Sequence, residues 1–100
     1  MMNPDGVFFG NTRCNFLGQD LNRKWDNPNQ WSHPIVFNVR NLIEKVDKDP
    51  NLDLDMILDI HSHSSLLGVF VIGNAYDDVY RFERHVVFPK ILSHICPDFR

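Results

Sequence analysis

The run GVFVIG at residues 68–73 is apolar without a break and closed at both ends by glycine. That pattern reads as a strand buried on both faces, because a strand with one wet face alternates. Such a strand needs neighbours on both edges and cover above and below. LDMILDI at 54–60, too short for an ordinary helix, reads as a second strand. Two isolated strands make a poor sheet. The expectation is therefore an α/β fold in which this chain is cut from a larger mixed sheet flanked by helices.

Length and charge narrow the function classes. A chain of 100 residues suits one small domain, and burying about two-thirds of its unfolded surface leaves room for a modest core and none for a two-domain site. The net charge of −3 comes with no dense basic run, so no nucleic-acid partner is expected and an acidic ligand must be met by individual arginines. Cys14 and Cys96 lie in no metal-finger or CxxC spacing, as expected of free thiols in a reducing compartment. MMNPDG is not an apolar signal segment, and no stretch approaches the roughly 20 apolar residues of a membrane span. The chain reads as cytosolic, or as an internal piece of something longer, with no membrane partner.

Residues 1–31 read as loop-rich. NPDG at 3–6 has turn chemistry, with Gly6 placed to take a positive φ, and a brief strand is expected around VFF. Trp25 and Trp31 flank the break at Asn27-Pro28-Asn29 and are expected to fasten it to the core. Ser32 is the expected N-cap of a helix with Pro34 in its first turn and Ile35, Val36, Val39, Leu42, Ile43 and Val46 on one face, ending near Asp49-Pro50. A second helix is expected from Asp77 or Asp78, with Val79, Phe82 and Val86 inward and a kink or split at Pro89.

Two segments could carry chemistry. In LDIHSHS, Asp59, His61 and His63 fall on one side of a strand at its C-terminal end, where ligand crevices open in α/β sheets. A His-x-His pair also occurs as hydrogen-bonded structural histidines, and a catalytic zinc needs three protein ligands, for which no HxxE or HExxH is present. In GQDLNRKW, Asn22 and Arg23 could anchor a carboxylate, the guanidinium donating two parallel bonds and the amide a third. The competing structural reading has Asp20 neutralise Arg23 as a local ion pair. Arg13 could steady a developing oxyanion, or be a solvated surface charge. His33 reads as a residue at the start of a helix, His85 and His94 as exposed. Ser62, Ser64 and Ser65 lack a nucleophile elbow, and GQDLNRKW lacks the glycines of a phosphate loop.

Taken in order, NPDGVFFGNTRC, GQDLNRKW, WSHP opening a helix, DIHSHS and the apolar GVFVIGN resemble the zinc carboxypeptidases of the M14 type, most of all the cytosolic carboxypeptidases, and with RFERHVVFPKIL their type-six branch. The resemblance runs over essentially the whole chain and implies a partial carboxypeptidase catalytic domain at 1–100, in a zinc-carboxypeptidase-like mixed sheet. It implies that His61 is the third zinc ligand, that Asn22 and Arg23 grip the substrate's terminal carboxylate, that Arg13 polarises the scissile carbonyl, and that Asp20 orients the first zinc histidine. No role transfers to His63.

The same resemblance implies a cytosolic, cytoskeleton-associated zinc hydrolase, expected to be a monomer, that removes glutamates from the C-terminal or side-chain tails of polyglutamylated proteins such as tubulin. The family's HxxE and its general-base glutamate fall outside these residues, so the hundred residues alone are expected to be inactive. Two rivals remain open at this point. One is a zinc deacylase of the aspartoacylase kind, sharing a DxNR-like anchor; the other is a non-catalytic truncated isoform that binds acidic tails.

Overall fold

The computed structural model describes residues 1–100. They form two compact units, Met1–Leu58 and Asp59–Arg100. In chain order the elements are α1 (Pro4–Phe8), a single 3-10 turn at Leu21–Arg23, α2 (Pro34–Lys48) and α3 (Val79–Ile95). Two isolated bridges complete the backbone pairing, Cys14 with Asp20 antiparallel and Val69 with Phe99 parallel.

The first unit begins with a helix where a turn and a short strand were expected. The Asn3 side chain accepts from the Gly6 N–H at 3.1 Å and Pro4 occupies the first helical position. Its missing N–H costs nothing there, so NPDG starts a helix as readily as it makes a turn. Gly6 is not at positive φ. Its requirement is steric, since a Cβ at this buried position would collide with the Asn3 amide and the Cys14 carbonyl. That close approach lets the Asn3 amide donate to the Cys14 carbonyl at 3.0 Å and so ties α1 to the loop that follows.

Helix α2 lies where its periodicity places it, with Val36 buried, Ile35, Val39, Ile43 and Val46 half-buried, and Leu42 left exposed. Its N-cap is His33, one residue later than the serine expected, and no side chain caps it. The proline explains the shift. Pro34 takes the first helical position and holds the residue before it out of the α region, so that residue is His33. The His33 ring is buried, and its Nδ1 accepts from the Asn29 N–H at 3.0 Å, closing the turn ahead of the helix. Trp31, expected to fasten this loop, is instead 84% exposed.

In the second unit Asp78 caps α3, its carboxylate accepting from the Tyr80 and Arg81 N–H groups at 2.9 and 3.3 Å. Pro89 lies inside an unbroken helix, so the expected split is absent. The proline instead leaves the His85 carbonyl without its intrahelical donor. At the other end of the unit, Val69 donates to the Asp98 carbonyl at 3.0 Å and accepts from the Arg100 N–H at 2.9 Å. Gly68, at φ 87°, makes room for that crossing, because a Cβ there would lie 2.9 Å from the Asp98 carbonyl oxygen. Apart from this bridge, neither 54–60 nor 68–73 belongs to a ladder. No helix is long and apolar enough to cross a membrane.

The steric account of Gly6 is open to a direct test. Gly6→Ala is expected to destabilise the first unit by about 1–3 kcal/mol, the usual cost of forcing a group into filled space, read as a lower urea midpoint. Gly73→Ala, whose Cβ meets nothing within 4 Å, serves as the control and should leave the midpoint in place.

Candidate functional site

The loop carrying Arg13, Asp20, Asn22 and Arg23 is shaped by a buried residue that carries no obvious chemistry. The Asn15 amide oxygen accepts from the Leu17 and Gln19 N–H groups at 3.0 and 2.9 Å, and its NH2 donates to the Ser32 carbonyl at 3.3 Å. The Asn15 main chain accepts from Gly18 and donates to the Gln19 carbonyl. Gly18, at φ 73°, supplies the left-handed residue that turns the chain back. The result is a closed loop whose ends are bridged at Cys14 and Asp20.

That bridge sets the charges. Arg13 Nη2 lies 2.7 Å from Asp20 Oδ2. The Asp20 Oδ1 accepts from the Asn22 N–H at 3.1 Å and caps the 3-10 turn that displays Asn22 and Arg23. An aspartate two residues before an exposed N–H group forms such a cap by local geometry alone. The local ion pair expected of Asp20 therefore forms with Arg13 and not with Arg23. With the Arg13 side chain 62% exposed and Asp20 24%, the pair is a surface pair worth at most about 1 kcal/mol. Arg23 has no carboxylate partner, and the one intramolecular bond of its guanidinium is a long contact of 3.4 Å to the Asn22 carbonyl. Its guanidinium is thus open to an external anion.

The loop is then carried onto α2. The Trp25 indole N–H donates to Asn22 Oδ1 at 2.8 Å, and the Trp25 and Asp26 carbonyls both accept from Arg40 Nη1, at 3.1 and 2.6 Å. Arg40 Nε pairs with Glu44 Oε1 at 3.1 Å, while Lys48 Nζ reaches Glu44 Oε2 at 3.4 Å. The hydrogen bonds from Arg40 and Lys48, reinforced by their charges, hold the Glu44 carboxyl below its ordinary range. Arg13, Asp20, Asn22, Trp25, Arg40 and Glu44 are in this way one continuous run of polar contacts.

Asn15 and Arg40 were missed by sequence reasoning. For Asn15 the available signal was an asparagine three residues before a glycine, in NFLG. For Arg40 only the i,i+4 spacing to Glu44 was legible, since its grip on Trp25 spans fifteen residues of chain.

In the second unit His61 is exposed, with Nδ1 2.7 Å from the Ser62 carbonyl oxygen and Nε2 3.8 Å from Asp59 Oδ2. A neutral ring donating from Nδ1 leaves the Nε2 lone pair available to a metal. Asp59 and His61 lie near one another through that single 3.8 Å approach. His63 has turned to stack edge-on against Phe70, with ring centroids 5.6 Å apart. His85, exposed as expected, lies against the Tyr76 ring at 4.6 Å. Neither unit gathers three or more histidine, cysteine or carboxylate side chains in metal-binding range. The residues present fit one ligand of a zinc centre and not the three that a catalytic centre takes from protein. Cys14 and Cys96 are free and half-buried.

Comparison with known proteins matches this chain along 99% of its length. It is 46% identical over 99 residues to cytosolic carboxypeptidase 6 of Mus musculus and 44% identical over 99 residues to that of Homo sapiens. It is also 38% identical over 101 residues to a Plasmodium falciparum protein whose name includes the words zinc carboxypeptidase. The chain spans 18%, 20% and 6% of those relatives' own lengths. No family model matches, and no solved structure matches.

Two expectations follow from the contacts. Asn15→Ala removes a buried acceptor from two loop N–H groups and should lower the stability of the first unit by about 1–3 kcal/mol, measured by urea denaturation with helix content as the readout. The Glu44 contacts carry a pH signature whose sign is set by the lowered carboxyl. Their contribution is fully present above the ordinary carboxylate range and is lost as the pH falls through the lowered folded value. A Glu44→Gln variant should therefore show a shallower loss of stability on acidification than the unsubstituted chain.

Proposed function

The chain is homologous along 99% of its length to the cytosolic carboxypeptidases, and from that premise we propose that the Asn22–Arg23 turn binds the free terminal carboxylate of a peptide substrate in a zinc metallocarboxypeptidase. The observation that carries this reading is the division of charge in the loop. Asp20 is taken by Arg13 and by the cap of the turn, so Arg23 stands beside Asn22 with no internal counter-ion. A planar guanidinium meets a carboxylate with two parallel N–H bonds, and the neighbouring amide adds a third. Recognition of a free carboxylate restricts cleavage to the last residue of a chain.

The other roles follow the same premise. Arg13 keeps donors beyond the one given to Asp20 and is the proposed partner of the scissile carbonyl, where charge develops during acyl transfer. Asp20, proposed to orient a zinc histidine, is also the residue that sets the Arg13 and Asn22 geometry. His61 is proposed as one zinc ligand, with the others and the general base supplied by residues outside this chain. The fold proposed for the intact domain is a mixed sheet flanked by helices with 54–60 and 68–73 among its strands. In support, Ile57, Ile60 and Ile72 are exposed, at 58, 90 and 74%, on segments with open backbone groups.

The proposed substrates are glutamate tails, at the C-terminus or on side chains, of proteins such as tubulin, in the cytosol and at the cytoskeleton. The names of the relatives favour a carboxypeptidase over the deacylase. The test is glutamate release from a glutamate-tailed peptide by the intact protein, with N-acetylaspartate as the competing substrate; turnover of the latter alone overturns the reading. Arg23→Ala should weaken binding of the free-acid peptide by roughly 10- to 100-fold, the worth of a charge-assisted pair of bonds. The same substitution should leave binding of the C-terminally amidated peptide unchanged, as measured by calorimetry.

A further inference from the structure

An asparagine side chain has two faces with opposite uses, an oxygen that accepts and an NH2 that donates, and a carboxylate ligand can use only the second. The rotation that exchanges them is close to neutral for an exposed amide, and Asn22 is exposed. In this structure the choice is made by Trp25. Its indole N–H, which has no lone pair to offer, points at Asn22 Oδ1 from 2.8 Å. The opposite orientation would set donor against donor, so the oxygen is held inward and the NH2 is left free.

Trp25 is itself held from behind. It is half-buried, and Arg40 Nη1 grips its carbonyl and that of Asp26 at 3.1 and 2.6 Å. On the other side, the Asn22 N–H is fixed by Asp20 at 3.1 Å. Backbone and side chain of Asn22 are thus constrained independently, the first by the acid before it and the second by the indole after it.

We propose that Trp25 is a positioning residue for ligand binding, which sets the Asn22 amide with its NH2 presented beside the Arg23 guanidinium to an incoming carboxylate. The proposal rests on the carboxylate-binding reading of Asn22 and Arg23. Without the indole donor the amide reorients freely, and a flipped amide sets its oxygen against a carboxylate oxygen. Trp25→Phe keeps an aromatic ring in place while removing the N–H together with the fused ring that carries it.

The experiment is a double-mutant cycle on the intact protein, titrated calorimetrically with N-acetyl-glutamyl-glutamate. Trp25→Phe should weaken binding roughly three- to tenfold, the effect of one neutral hydrogen bond, and should have no further effect in an Asn22→Ala background. Equal losses in both backgrounds would mean a general loosening of the loop and would overturn the proposal, as would full affinity of Trp25→Phe alongside a weakened Asn22→Ala. Full affinity of Asn22→Ala, or no binding by the unsubstituted protein, would instead overturn the carboxylate-binding reading and the inference with it. Should Trp25→Phe lose its helical circular dichroism, Arg40→Ala replaces it, since it releases the Trp25 carbonyl and leaves the indole intact. Its loss must also vanish in the Asn22→Ala background.

Discussion

The Asn15 side chain is the contact from which the rest of the first unit is arranged. It is a buried amide with both ends in use, taking two N–H groups of its own loop and giving one bond to the residue before the helix cap. A buried amide must use both of its ends, and this one satisfies three peptide groups at once. The closed loop brings Cys14 opposite Asp20. That pairing places one acid beside one of two arginines, and the other arginine is left without a partner. A packing requirement thus becomes an electrostatic one.

The polar contacts beyond Asp20 work in series and not as a list of separate bonds. Each residue uses one group toward its predecessor and another toward its successor: Asp20 through its two oxygens, Trp25 through its indole N–H and its carbonyl, Arg40 through Nη1 and Nε. Individually these are exposed or half-exposed contacts of small worth. Their combined effect is orientation, since each removes a rotation that the next depends on. Helix α2 is therefore more than support for a core; through Arg40 its polar face reaches back to the turn that displays Asn22 and Arg23. The second unit has no comparable network. Its one candidate ligand, His61, is ordered only by its neighbour's carbonyl and a distant aspartate.

Reading the sequence located the helices well and the loops poorly, but Val79, Phe82 and Val86, expected to face inward on α3, are exposed, and α3 buries no residue. The apolar spacing along 35–46 and the aspartate before Val79 both act over one turn, so α2 and α3 were legible to within a residue or two at their starts. NPDG was misread because its residues suit a turn and a helix start equally, and the contact that decides between them, Asn3 with Cys14, lies eleven residues away. The site was half legible. Asn22 and Arg23 stood out as an amide beside a guanidinium, but the identity of the arginine that Asp20 neutralises did not.

By itself the sequence determined everything that acts within about one helical turn: the α2 face, the Asp78 cap, the Asp20 cap over Asn22, and the order of motifs that made the family recognisable. Tertiary structure alone decided which arginine stays free and how Arg40 holds the Trp25 carbonyl. The physical reason is separation along the chain. Caps and periodicities are set by residues two to four apart, whereas the Asn15 bond to Ser32 and the Arg40 bond to Trp25 join residues seventeen and fifteen apart, and no local pattern records where a chain will meet itself.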